Sequence, residues 1–329
     1  MDAYLGGAVG GTGWVYGAAL AVSAGAMALV DRRWRLVGPR DGAVTAAVVA
    51  GGVLGLLAWD ALGIVTGIFF RGQGPWLTGW QLAPELPVEE VLFLAFLTHV
   101  ALVADAATGR LLEAGPRGRA LVRRASAVVG VVLAVVLVVS TGLGGGLRGT
   151  WASLAYAGVI AAVLVPVLAL ATLWGRGQDE GRGRDEGRGQ AVGGGPGGSP
   201  GAPSGARLRR RPWDLRARGT LAVLALLTAV FDSAIVGAGI VAYDWSRTSG
   251  LLLGVAPVED LGYSVAVCAL APVAWQRWHE RRLSRGRVVP GSRPASPTPT
   301  SASHAGGPAT RSTSSRSSRI GPHGKEQRA

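Results

Sequence analysis

Residues 87–103 read Pro-Val-Glu-Glu-Val-Leu-Phe-Leu-Ala-Phe-Leu-Thr-His-Val-Ala-Leu-Val. Two adjacent carboxylates, Glu89 and Glu90, open a run that is otherwise apolar. The chain writes the pattern again at Pro257-Val258-Glu259-Asp260. Each copy follows an aspartate set in an apolar segment: Asp60 after Leu56-Leu57-Ala58-Trp59, and Asp232 after Thr228-Ala229-Val230-Phe231. Acids in hydrocarbon surroundings are costly and are usually functional.

The composition shows where such runs belong. Of 329 residues, 49% are hydrophobic and only 16% charged, against about 25% charged in ordinary soluble domains. The 52 glycines suit close helix packing in lipid. Seven stretches approach the ~20 apolar residues that a bilayer-spanning helix needs. They run roughly 10–30, 43–70, 86–106, 125–143, 151–174, 219–242 and 250–275. The class is an all-α integral membrane protein of about seven transmembrane helices. The single cysteine, Cys268, excludes an internal disulfide and a Cys-based metal cluster; its apolar setting reads as packing. Met1-Asp2 opens without a basic n-region, which argues against a cleaved signal peptide.

The connections set the orientation. The loop after span one carries Arg32, Arg33, Arg35 and Arg40, and that after span three carries Arg110, Arg117, Arg119, Arg123 and Arg124. Ten arginines lie between Arg176 and Arg218, and eleven of the Lys and Arg follow span seven. The other three connections hold one each: Arg71, Arg148 and Arg247. The positive-inside rule then places the N-terminus outside and the C-terminus in the cytoplasm of a multi-pass cell-membrane protein. The net charge of +13 is mostly this topology, with contact to lipid headgroups, and does not call for nucleic acid.

The internal repeat sets the domain plan. With Asp60 aligned on Asp232, Gly67-Ile68 falls on Gly239-Ile240, and an aromatic follows each motif proline by six residues, Phe93 or Tyr263. The unit is a helix bearing Asp, an outer loop, and a helix beginning Pro-Val-Glu-acid. Residues 1–110 form the first repeat (spans one to three), 111–174 hold spans four and five, and 213–285 hold spans six and seven, completing the second. Span four is a connector helix that restores direction, so the two three-helix repeats are parallel. Residues 175–212 read as a disordered linker and 286–329 as a disordered basic tail. Sites in repeat-built membrane proteins often lie between the repeats, which would bring Asp60, Glu89, Glu90, Asp232, Glu259 and Asp260 towards one cavity.

Blander readings stand beside this one. Glu89 and Glu90 after Pro87 suit a capped helix start at the outer surface. Asp60, about ten residues or roughly 15 Å from the outer helix end, could serve a buried structural hydrogen bond. His99 is expected to make a structural hydrogen bond, and Asp244 to lie at the surface.

The Asp-bearing helix, the Pro-x-Glu-Glu motif and their duplication resemble the heterodimer-type lycopene cyclases of bacterial carotenoid biosynthesis. Those are two small membrane subunits, also found fused, and are related to the cyclase domain of fungal bifunctional carotenoid enzymes. The resemblance covers roughly residues 1–280 without the linker. Pro87-Val88-Glu89-Glu90-Val91-Leu92-Phe93 is close to the family pattern; in the second copy Asp260 replaces the second Glu and Gly262-Tyr263 the usual aromatic run.

The resemblance implies cyclisation of the end groups of a membrane-embedded linear carotenoid, lycopene or an elongated relative. Such a reaction protonates a terminal alkene, closes a ring on the cation and removes a proton, with no net redox. It needs an acid, a base and an apolar channel. Burial and a second nearby carboxylate can separate an acid from a base. Glu89 and Glu90 come first as candidates, then Asp60, Asp232, Glu259 and Asp260. Trp59, Phe93, Phe231 and Tyr263 are candidates to line the substrate; with Phe69, Trp76 and Trp80 they could also pack or stabilise a cation. No dinucleotide fingerprint surrounds the Gly7–Gly13 run, and no bound cofactor is expected. Other carotenoid enzymes or a second copy are candidate partners.

Two rivals differ in class. A retinal protein needs a lysine within a helix, and the only lysine is Lys325 in the tail. An ion or proton transporter could use the same acids.

Overall fold

The computed structural model describes residues 12–143, 152–171 and 215–286. Seven helices are long and apolar enough to cross a membrane. They are α1 (Val15–Trp34), α2 (Gly42–Val65), α3 (Glu89–Glu113), α4 (Pro116–Leu143), α5 (Ala152–Ala171, starting as a 3-10 turn), α6 (Leu215–Gly237) and α7 (Leu261–Gly286). The linker and tail expected at 175–212 and 286–329 lie outside the described residues, apart from Gly286.

Helix α3 is central. It packs against α1, α2, α4, α6 and α7, and its Leu94, Thr98, Val100 and Ala101 are almost wholly buried. Helix α4, in contrast, leaves Val128, Val131, Val135 and Val138 exposed; a surface of that kind fits hydrocarbon.

Helices α2 and α6 stop earlier than their hydropathy suggests, for the same reason. Helix α2 stops at Val65 because Gly67 takes φ 68°, a conformation glycine adopts without the Cβ penalty. Ile68 N–H then donates to the Gly63 carbonyl. Helix α6 closes the same way, with Gly239 at φ 67° and Ile240 N–H donating to Ile235. The apolar residues beyond each stop form strands β1 (Phe69–Arg71) and β4 (Val241–Tyr243). Asp60 is therefore five residues from its helix end, about 7.5 Å at 1.5 Å per residue, half the depth expected from the sequence. Likewise residues 250–257 are a hairpin, so the last span starts at the 3-10 turn Val258–Asp260.

The connections after α2 and α6 are therefore built of strands. Strands β1 and β4 pair antiparallel with Phe70 opposite Ala242, Phe69 opposite Tyr243 and Arg71 opposite Val241. Gly72 N–H extends the ladder to the Ile240 carbonyl, and Asp244 N–H to the Ile68 carbonyl. A Cβ on Gly72 would strike the Gly239 carbonyl, so only glycine lets these backbones meet. Strands β2 (Gln81–Ala83) and β3 (Leu86–Pro87) form a hairpin into the first acidic motif; β5 (Leu252–Leu253) and β6 (Ala256–Pro257) do so for the second.

The opposite helix ends are held by charge. Asp31 accepts from Val37 N–H (2.8 Å) and Gly38 N–H (2.9 Å), and its carboxylate lies 3.2 Å from His99 Nε2. Arg216 pairs with Asp105. Asp41 caps α2 and meets His279 (3.1 Å) and Arg282 (2.9 Å) from α7. His99 thus has the structural partner expected of it. Asp244 is partly exposed and bonds Ser246 and Arg247.

Candidate functional site

The two acidic motifs are built alike. In the first, Glu89 is buried, and its Oε1 accepts from Thr78 N–H (2.8 Å) and Thr78 Oγ1 (2.6 Å). In the second, Glu259 Oε1 accepts from Ser249 N–H at 2.8 Å. Each leading glutamate thereby pins the loop that precedes its own hairpin. The residue after it, Glu90 or Asp260, points about 100° further round and lines a central cavity.

That cavity joins elements from the whole chain. Asp60 on α2, Glu90 on α3, Asp232 on α6 and Asp260 at the head of α7 all line it. Glu90 interacts electrostatically with Asp60, Asp232 with both Glu90 and Asp260, and Asp260 with Asp60. The four carboxyls thus share one cavity, two from the aspartate-bearing helices and two from the acidic motifs. Of the six candidate acids, the structure brings these four to one cavity. Glu89 and Glu259 are buried beside it with one carboxyl oxygen each lacking a hydrogen-bond partner.

The aromatic candidates divide too. Phe93 and Tyr263 line the cavity, while Trp59 and Phe231 back them. Trp59 stacks on Tyr263 with centroids 4.6 Å apart, and Phe231 lies 6.4 Å from Phe93. Phe69 also lines it. Trp80 is exposed, and Trp76 packs around Tyr16 and Ile240.

Three tyrosines went unnoticed in the sequence: Tyr16, Tyr156 and Tyr243. With Tyr263 they make four of the chain's five tyrosines at one cavity. Their signal was their rarity, since a buried tyrosine hydroxyl seeks a polar partner. Tyr263 donates to Asp60 Oδ1 at 2.6 Å. Tyr156 donates to Asp260 Oδ1, and Tyr243 to Asp260 Oδ2 at 2.8 Å. Burial, then the nearby Asp260 and Tyr156, push the Tyr243 hydroxyl well above the ordinary tyrosine range, so it remains a donor. Glu90 and Asp232 make no side-chain hydrogen bond among the described residues. Arg71 and Glu85 sit at the rim near β1 and β3, where Glu85 accepts from Arg71 N–H.

No protein-family model and no solved structure matches the chain. Two curated proteins of Dietzia sp. (strain CQ4) do. One is provisionally named as one of the subunits of a C(50) carotenoid beta-cyclase; it is 46% identical over 99 residues, 80% of its length and 30% of this chain. This chain belongs to the two-subunit carotenoid cyclase family. The other relative, the C(50) beta-cyclic carotenoids biosynthesis protein LbtBC, is 52% identical over 66 residues, 20% of this chain and 15% of that protein. In this cyclase-family chain, one cavity holds four carboxyls, one of them clasped by two tyrosine hydroxyls, beside aromatic walls.

Proposed function

We propose that the chain cyclises the end groups of a linear carotenoid within the cell membrane by acid–base catalysis, as an isomerase with no net redox change. The observation that carries this is the meeting of Asp60, Glu90, Asp232 and Asp260 in one aromatic-walled cavity among apolar helices. A proton can be given and taken there beside an apolar chain. The relatives' names favour an elongated C50 substrate over lycopene. Glu90, Asp60, Asp232 and Asp260 act on the substrate; Glu89 and Glu259 hold the loops. Phe93 and Tyr263 contact the substrate, with Trp59 and Phe231 behind them.

The architecture proposed for this activity is two parallel three-helix repeats, α1–α3 and α5–α7, with α4 as connector. The matched helix ends at Gly67 and Gly239, the reciprocal pairing of β1 with β4, and the Glu89–Thr78 and Glu259–Ser249 contacts support it. The N-terminus is outside and the C-terminus cytoplasmic, and one chain joins halves that two-subunit relatives carry apart.

Expression of the full chain in a bacterium accumulating lycopene, and separately in one accumulating a linear C50 carotenoid, tests the function. Chromatography and mass spectrometry should show a cyclic product of unchanged mass. No ring from either substrate sinks the proposal.

A further inference from the structure

The duplicated site is not chemically symmetric. Under the repeat alignment Asp60 matches Asp232 and Tyr263 matches Phe93. Tyr263 gives Asp60 a hydroxyl; Phe93 has none to give Asp232. Glu90 matches Asp260, yet among the described residues Asp260 receives two tyrosine hydroxyls and Glu90 receives none. Tyr243 falls where the first repeat has Arg71. The hydroxyls thus gather around Asp260 and Asp60 and leave Glu90 and Asp232 bare.

Resting on the cyclase reading, we propose that Glu90 delivers the proton that starts cyclisation, and that Asp260, clasped by Tyr156 and Tyr243, removes the final proton and so fixes the position of the ring double bond. Two hydroxyl donors stabilise negative charge on a carboxylate and lock its orientation. A carboxyl without donors keeps its own O–H free to give. Asp60 is the weaker base candidate because one of its oxygens is buried without a partner. Asp232 lacks donors, as Glu90 does, but is more deeply buried.

The step balances. The Glu90 O–H bond breaks and a C–H bond forms on the terminal alkene carbon. The neighbouring double bond attacks the cation and closes the ring, moving the charge to a ring carbon. That carbon is flanked by a ring C–H, a ring methylene and a methyl group, and loss of a proton from each gives a different double-bond isomer. Asp260 takes one of these protons, and the electrons of the broken C–H bond become the ring double bond. The proton held by Asp260 then returns to Glu90 across the cavity that both carboxyls line, which restores the starting state. Tyr156 and Tyr243 act as positioning residues.

The test uses the full chain with whichever of lycopene or a linear C50 carotenoid the wild type cyclises. The readouts are flux and the ratio of ring isomers. Tyr156→Phe and Tyr243→Phe are each expected to lower flux about tenfold, the scale of one charge-assisted hydrogen bond, and to raise the minor isomers' share by a similar factor. Glu90→Gln and Asp260→Asn should abolish ring formation, with the protein still extracted as a monodisperse species. The isomer ratio does not depend on how much protein accumulates. An unchanged ratio in both tyrosine variants overturns the assignment of the base, whatever their yield. Ring formation by Glu90→Gln above about a tenth of wild type overturns that of the donor. A wild type that cyclises neither substrate rejects the cyclase reading itself.

Discussion

The acids of the first motif, adjacent in sequence, should separate cleanly under mutation. Glu89 accepts two hydrogen bonds from Thr78, whereas Glu90 faces the cavity with none. Glu89→Gln keeps a carbonyl oxygen for both donors, and its flux should stay within about tenfold of wild type, consistent with one net hydrogen bond changed. Glu89→Ala leaves the Thr78 N–H and hydroxyl without their acceptor. Each unmatched donor costs about 1–3 kcal/mol. Thr78 is exposed, so water replaces part of the loss and the low end applies, about 2 kcal/mol in all. At about 2–4 °C per kcal/mol, the unfolding midpoint in detergent should fall by about 4–8 °C. Glu90→Gln removes the proposed general acid and should cost about 10²–10⁴ in flux, with little change in midpoint. The assays are thermal unfolding of purified protein and pigment flux in cells. An inactive Glu89→Gln beside an active Glu90→Gln would refute the division of roles.

Three further outcomes follow from the packing. Breaking the partly buried Arg216–Asp105 pair with Asp105→Ala should cost about 3 kcal/mol, read as a lowered unfolding midpoint; a change below about 0.5 kcal/mol would mean the pair is solvated. Gly67→Ala should cost about 1–2 kcal/mol for its left-handed backbone, and Gly72→Ala more, because its methyl meets the Gly239 carbonyl; equal costs would contradict the close approach of the ribbons. Burial works against ionisation of Asp41, but the His279 hydrogen bond, the Val44 N–H and Arg282 outweigh it and hold its carboxyl below the ordinary range. A depressed folded value adds stability above the unfolded value, and this is lost as pH falls through the folded one. Unfolding midpoints should therefore drop on acidification below the ordinary aspartate range, and Asp41→Asn should flatten that dependence; an unchanged slope would count against the contact.

Composition and motif spacing alone carried the class and the materials of the site. Seven apolar runs read as helices long enough to span a bilayer, where lipid would leave backbone groups no other partner. Two Asp residues and two Pro-Val-Glu-acid motifs were legible because charge in apolar surroundings stands out. Hydropathy could not say where helices stop, since Ile68-Phe69-Phe70 is as apolar as the helix before it; Gly67 and the pairing of β1 with β4 decide that. Nor could adjacency say which acid of Glu89-Glu90 or Glu259-Asp260 turns inward, a matter of helix phase set by contacts to Thr78 and Ser249. The pairing of tyrosine hydroxyls with particular carboxyls was hidden for the same reason. Tyr156 is 104 positions from Asp260, and Tyr263 is 203 from Asp60, so only the packing of helices and the pairing of β1 with β4 bring those hydroxyls onto the carboxyls.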